Sequence, residues 1–328
     1  MTFVELFRDF KTEVSYISSL NISKFTKLML SALKIVALSS YKSGQKSPAV
    51  ARALNGSDSS LLPYDFGELQ LESPGIRNVA VIPAYVRNEK ERNQLFEAVF
   101  SVSRQVDAVL VVNDGSPFPL PQTLASNSHV INLNRNSGPA VARNVGLDAC
   151  QRIGSVQNVL FLDADCVATE SWARHMTSRL SQTAVVAGIT KSLSNGKDYV
   201  SLYHDVFGTL NGRLLPGDQD NLLYAPTCNL GINLPLFLNS SKSSIYFDPS
   251  FPSAAFEDVE FSLRLRKANI SIVFEPKAVM QHDYDVSWKG FANQFKKYGK
   301  SEGLFLSRHP EYHSLASDSK IISSPFLS

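Results

Sequence analysis

Two carboxylates one residue apart, Asp163 and Asp165, follow the apolar run Val159-Leu-Phe-Leu162. Held together at a strand end, such groups repel each other unless a cation sits nearby. Mg²⁺ and Mn²⁺ are hard ions that take oxygen ligands and often keep contacts to phosphates. An ion there would neutralise a departing diphosphate. The alternative for a lone D-x-D is a strand-end turn with solvated or capping acids. A second acidic pair, Glu257-Asp258, suits a helix N-terminus, where the dipole favours acids.

These groups need elements to hold them. Asn78-Val-Ala-Val-Ile-Pro83, Ala108-Val-Leu-Val-Val112, Val130-Ile-Asn-Leu133 and Val159-Leu-Phe-Leu162 are short apolar runs, the pattern of buried strands. Helix-compatible segments lie between them at Glu89–Arg104 and Pro139–Ile153. Strands apolar throughout, alternating with helices, imply an α/β fold with a parallel sheet covered on both faces. In such sheets ligands bind beyond the carboxyl ends of the strands. The residues that follow the four runs are accordingly polar: Tyr85, Asn88 and Glu89; Asp114 and Ser116; Asn134, Arg135 and Asn136; Asp163 and Asp165.

Three regions are expected. Residues 1–77 form a helical N-terminal extension, with apolar residues at helical spacing and a linker rich in Gly, Ser and Pro near 56–63. Residues 78–283 form the catalytic domain. Residues 284–328 form a C-terminal helical segment, with Trp288, Phe291, Phe295 and Tyr298 on one face, and a Ser-rich tail. With 32 basic and 30 acidic residues the formal charge is +2, which lends no support to nucleic-acid binding. The three cysteines are far apart and form no CxxC pair, so reduced buried thiols are expected rather than a zinc site or disulfide framework. No cationic n-region precedes an apolar core, and the stretch Leu28–Leu38 falls short of the roughly 20 apolar residues of a membrane span. A cytoplasmic protein is expected, with peripheral membrane contact left open through Trp288 and the lysines of 289–300.

The motifs recur in a fixed order. After the first apolar run come Val-Val-Asn-Asp-Gly-Ser116, Asn136-Ser-Gly-Pro-Ala-Val-Ala-Arg-Asn-Val-Gly146, Phe161-Leu-Asp-Ala-Asp165, Thr227-Cys-Asn229 and Phe256-Glu-Asp258, with Leu265-Arg266 behind. This series resembles the family 2 glycosyltransferases with the GT-A fold, a Rossmann-like, mixed and mostly parallel sheet flanked by helices. The resemblance implies an inverting transfer of sugar from a nucleoside-diphosphate sugar, UDP being the commonest, to a carbohydrate, lipid-linked or small-molecule acceptor. It implies a divalent metal, Mn²⁺ or Mg²⁺, bound by Asp165 with Asp163 and His282. Pro83, Ala84 and Tyr85 would lie along the nucleotide base, Asp114 would bind base or ribose, and Arg143 would lie near the nucleotide. Asp258 would be the general base, with Glu257 beside it. Asn229 could reach a sugar or cap a loop, and Trp172 could stack on a sugar or pack in the core.

The chain departs from processive relatives, which carry Gln-x-x-Arg-Trp. Here the corresponding segment is Gln294-Phe-Lys-Lys-Tyr298, so single additions are expected. Two other functions compete. A nucleotidyltransferase would carry a Gly-rich phosphate loop after the first strand, where this chain has Pro83-Ala-Tyr-Val-Arg87. A non-catalytic binding module would have no need of Asp114, Asp163, Asp165 and Asp258 together. One segment is ambiguous by period: Val259–Arg266 alternates apolar and polar like a strand, but the resemblance implies a helix there and Leu, Arg and Glu are good helix formers, so a helix is expected.

Overall fold

Strong β-formers in short runs make the frame. β1 (Asn78–Ala84), β2 (Ala108–Asn113), β3 (Ser128–Asn132) and β4 (Asn158–Phe161) lie parallel in the order β3-β2-β1-β4. The computed structural model describes residues 75–215, 218–240, 246–251 and 254–310. The helices and linker expected before residue 75, and the tail from 311, lie outside the described residues.

The sheet continues as β9 (Leu230–Asn233), β6 (Val185–Ser192), β10 (Ile272–His282), β8 (Asn221–Tyr224) and β7 (Arg213–Leu214), with β5 (Cys166–Ala168) paired to the end of β10. β9 runs antiparallel between β4 and β6. β6 and β10 are parallel, and their register shifts between Glu275 and Val279. The sheet is therefore mixed and mostly parallel, as expected.

Side chains alternate across the sheet, and so do the two cores. Val79, Val81, Leu110, Val112, Val159 and Phe161 face one side, under α2 (Pro139–Ile153). Ala80, Ile82, Val109, Val111, Leu160 and Leu162 face the other, against α1 (Glu89–Ser103) and α3 (Trp172–Leu180). Each fully buried Val, Leu or Ile contributes about 1.5–3 kcal/mol. α1 starts at Asn88, whose side chain accepts from the Glu91 amide. α2 has Pro139 in its first turn and ends at the left-handed Gly154. α5 (Leu234–Ser240) and α6 (Glu257–Lys267) follow β9.

The ambiguous segment is helical. α6 buries Glu257, Glu260, Phe261 and Leu265, spaced i, i+3, i+4 and i+8. Half of that face is charged, which hid its period. Glu260 is held there by Arg264, 2.7 Å away.

The chain divides into two compact units. Within the described residues, one comprises 75–193 and 210–284 and holds the whole sheet. The other comprises 194–209 and 285–310, with α4 (Tyr199–Phe207) and α7 (Trp288–Arg308). In this second unit Tyr203 meets Phe291 and Phe295 edge-on at 5.3 and 5.6 Å. Phe291, Phe295 and Tyr298 are buried on the expected helical face, while Trp288 and lysines 289, 296, 297 and 300 are exposed. No helix among the described residues is long and apolar enough to cross a membrane.

Candidate active site

Parallel β1, β2, β3 and β4 bring their carboxyl ends to one edge. Pro83, Ala84 and Tyr85 stand at the end of β1; Ala84 is buried and Tyr85 is exposed. Asp114 lies just past β2. Its carboxylate accepts from the amides of Ser137 (2.7 Å) and Gly138 (2.8 Å), the residues that lead into α2. Burial raises the Asp114 pKa, and these two amides pull it back. Asp114 thus fixes the loop that starts α2 to the end of β2. Gly115 beside it has φ +66°, and a Cβ there would collide with the Arg135 backbone.

Arg143, in the first turns of α2, is the hub. Its side chain is 1% exposed and donates to Asp163 Oδ1 at 2.7 Å and to Glu257 Oε1 at 2.9 Å. The guanidinium also lies 5.8 Å from the Phe247 ring centre. Burial disfavours its charge, but the two carboxylates outweigh that and raise its pKa. One guanidinium therefore joins the end of β4 to the start of α6.

Asp258 follows Glu257 and is partly exposed. Its pKa is pushed up to about 7, first by burial and next by the Glu257 charge, with Arg143 opposing. The residue before the pair, Phe256, has φ +67°, an uncommon conformation for a bulky residue, and its ring is buried. Phe256 caps the start of α6, where Glu257 and Asp258 form the first turn.

Asp165 and His282 meet where β5 pairs with the end of β10. Asp165 Oδ1 is 3.4 Å from His282 Nε2. The Asp283 amide donates to the Asp165 carbonyl at 2.9 Å, and Gln94 donates to the Asp283 carboxylate at 2.7 Å. Asp165, Cys166 and His282 offer ligand atoms all within 4.8 Å of one another, a group that could hold a metal ion. Burial and the charges of Asp163 and Asp283 raise the Asp165 pKa, against the pull of His282. His282 Nδ1 is buried with no hydrogen-bond partner among the described residues. A crowded carboxylate beside an imidazole with a spare nitrogen fits a divalent cation. The Cys166 thiol does not fit a hard ion: burial and its contact with Cys228 keep its pKa well above the usual value. Asp163 is outside this group and turns toward Arg143.

The sequence profile named "Glycosyl transferase family 2" matches residues 79–247, more than half of the chain. The chain belongs to glycosyl transferase family 2.

Among curated relatives of this chain is the "Pre-mycofactocin glycosyltransferase" of Mycobacterium tuberculosis, 27% identical over 214 residues, covering 62% of this chain and 43% of the relative. The chain thus spans less than half the length of that relative. Among solved structures, that of GalNAc-T7 with UDP, GalNAc and Mn²⁺ is similar with a TM-score of 0.51 at 14% identity, covering 77% of this chain and 52% of the other. Staphylococcus aureus TarS, residues 1–349, gives a TM-score of 0.44 at 18% identity, covering 75% of this chain and 76% of the other. The fold is GT-A.

The structure gathers Asp163, Arg143 and Glu257, with Asp258 adjoining, and separately Asp165 with His282. Two residues considered for sugar contact lie elsewhere. Trp172 is 0% exposed in the core, its indole N–H donating to Asn229 Oδ1 at 2.8 Å. Asn229 is 2% exposed and its Nδ2 donates to the carbonyls of Ile189 (2.9 Å) and Ala278 (3.1 Å). It pins β6 to the irregular stretch of β10, and all its bonding is internal. Arg143, expected near the nucleotide, is enclosed, with both terminal nitrogens bonded to carboxylates. Its enclosure had a signal in the sequence: Pro-Ala-Val-Ala-Arg-Asn-Val is an arginine amid apolar residues, and a buried cation needs partners. The left-handed Phe256 had none.

Proposed function

We propose that this glycosyltransferase moves one sugar from a UDP-sugar to an acceptor hydroxyl, with inversion at the anomeric carbon and a divalent cation at Asp165 and His282. The observation that carries this is the Arg143 link, which holds the carboxylate at the end of β4 within one guanidinium of the Glu257-Asp258 pair. Donor-side and acceptor-side acids then flank one crevice. Tyr85, exposed at the end of β1, lies along the base. The cation, when bound, supplies charge neutralisation for the leaving diphosphate. Asp258 takes the proton from the acceptor hydroxyl as that oxygen attacks, and its position near neutrality suits it to do so. Attack from the side opposite the leaving group inverts configuration. Mn²⁺ is favoured by the mixed oxygen and nitrogen donor set and by its presence in the GalNAc-T7 structure. The segment Gln294–Tyr298, without the Arg-Trp of processive relatives, favours single additions.

Calorimetry tests the donor side. UDP is expected to bind with Mn²⁺ and to lose most of its affinity with chelator or in Asp165→Ala. Equal binding with Mn²⁺ and with chelator would remove the metal from the account. GDP, dTDP or CDP binding in place of UDP would reassign the base.

A further inference from the structure

Three charges share one enclosed place. The Asp163 side chain is 29% exposed, whereas Arg143 is 1% and Glu257 4% exposed. Arg143 Nε and Glu257 Oε2 have no hydrogen-bond partner among the described residues. The guanidinium is thus divided between two carboxylates, with Phe247 packed against it and no other ion pair among the described residues. In such a low-dielectric setting each pairing depends on the other: what one carboxylate loses, the other gains. Asp163 alone of the three has substantial exposure toward solvent. Arg143 is the hydrogen-bonded route by which a perturbation of Glu257 reaches Asp163, beside the direct repulsion of the two carboxylates.

We propose that Arg143 is a positioning residue that couples the two halves of the site, so that Glu257 sets how available Asp163 is to the nucleotide and its metal. The proposal rests on the UDP–metal reading above. With both carboxylates charged, Arg143 is shared and holds Asp163 moderately. With Glu257 neutral, the guanidinium turns its full charge on Asp163 and competes with the incoming cation and ribose. The same link, acting from the other end, lets an occupied donor side hold α6, and with it Asp258, in place.

The test is calorimetric binding of UDP with Mn²⁺ to the full chain and to Glu257→Gln, Asp163→Asn and the double variant. Glu257→Gln is expected to weaken UDP–Mn²⁺ binding about fivefold or more, the usual size of a coupling between sites. Asp163→Asn weakens it too, and in that background Glu257→Gln has no further effect. In an Arg143→Met background, which removes the shared cation, Glu257→Gln is expected to lose its effect on UDP–Mn²⁺ binding, and Arg143→Lys, which keeps the charge but loses the fork, is expected to restore part of it. Circular dichroism and a thermal melt separate binding from folding. Should the Arg143 variants not fold, the Glu257/Asp163 cycle still decides. An unchanged Kd in Glu257→Gln, or strictly additive effects of the two carboxylate changes, would overturn the proposal. Failure of the unsubstituted chain to bind UDP with Mn²⁺ would instead remove the donor reading, and the coupling with it.

Discussion

A base that works at neutral pH must be unprotonated and yet hold a proton once it has taken one. An ordinary aspartate near 4 fails the second condition. Asp258 meets both because burial and the neighbouring Glu257 push it up to about 7, while Arg143 limits the rise. The pH dependence has a definite sign. Below about 7 the carboxyl carries its proton and cannot accept another, so kcat/KM is expected to fall as pH drops through that value and to level off above it. Asp258→Asn should lower kcat by about 10²–10⁴-fold, the usual contribution of general-base catalysis, with donor KM changed far less. An initial-rate pH series on both proteins reads this directly. A profile flat from pH 5 to 9 would take Asp258 out of the proton transfer.

At the scale of elements, the sheet edge is organised by an internal polar knot. Gly188 on β6 packs against the Ala278 carbonyl, and a Cβ there would come within 2.6 Å of Asn229 Nδ2. Gly188→Ala must push aside backbone and disrupt the bonds by which Asn229 ties β6, β10 and Trp172 together. A loss of about 1–3 kcal/mol is expected in urea denaturation, the cost of overpacking a tight interior. Much of this scaffold was legible in the sequence. The four apolar runs fold as parallel strands, and Pro139–Ile153 is a helix with the expected bounds, because its start and stop residues act locally. α6 was not legible from its period, since Glu257 and Glu260 occupy buried positions that only distant or helical partners, Arg143 and Arg264, make tolerable. β9 was likewise hidden: its antiparallel place between β4 and β6 is a long-range pairing with no local signature. Within the site, Asp165 and His282 lie 3.4 Å apart, while Asp163, expected with them, turns to Arg143; the enclosure of Arg143 and Trp172 depended on packing that spacing alone does not encode.

For the molecule as a whole, a catalytic group held away from its ordinary pKa affects stability. Asp258 has a higher pKa folded than unfolded, so the folded state keeps the proton longer as pH rises. Its contribution to stability is full below about 4 and is lost as pH climbs through about 7. Asp258→Asn carries no such charge. It should melt at the same temperature as the native chain near pH 4 and above it at pH 8, by about 2–4 °C for each kcal/mol recovered. Differential scanning calorimetry at the two pH values checks this, and an equal melting temperature at pH 8 would contradict the burial assigned to the carboxyl. The tryptophans supply a way to follow such transitions. There are two in the chain, Trp172 enclosed with its indole bonded to Asn229, and Trp288 exposed on the first turn of α7. They belong to different compact units. The first should emit at short wavelength and resist iodide, and the second should emit at long wavelength and be quenched. Intrinsic fluorescence therefore carries two separable signals, one for the sheet and one for the paired helices, without any label being attached.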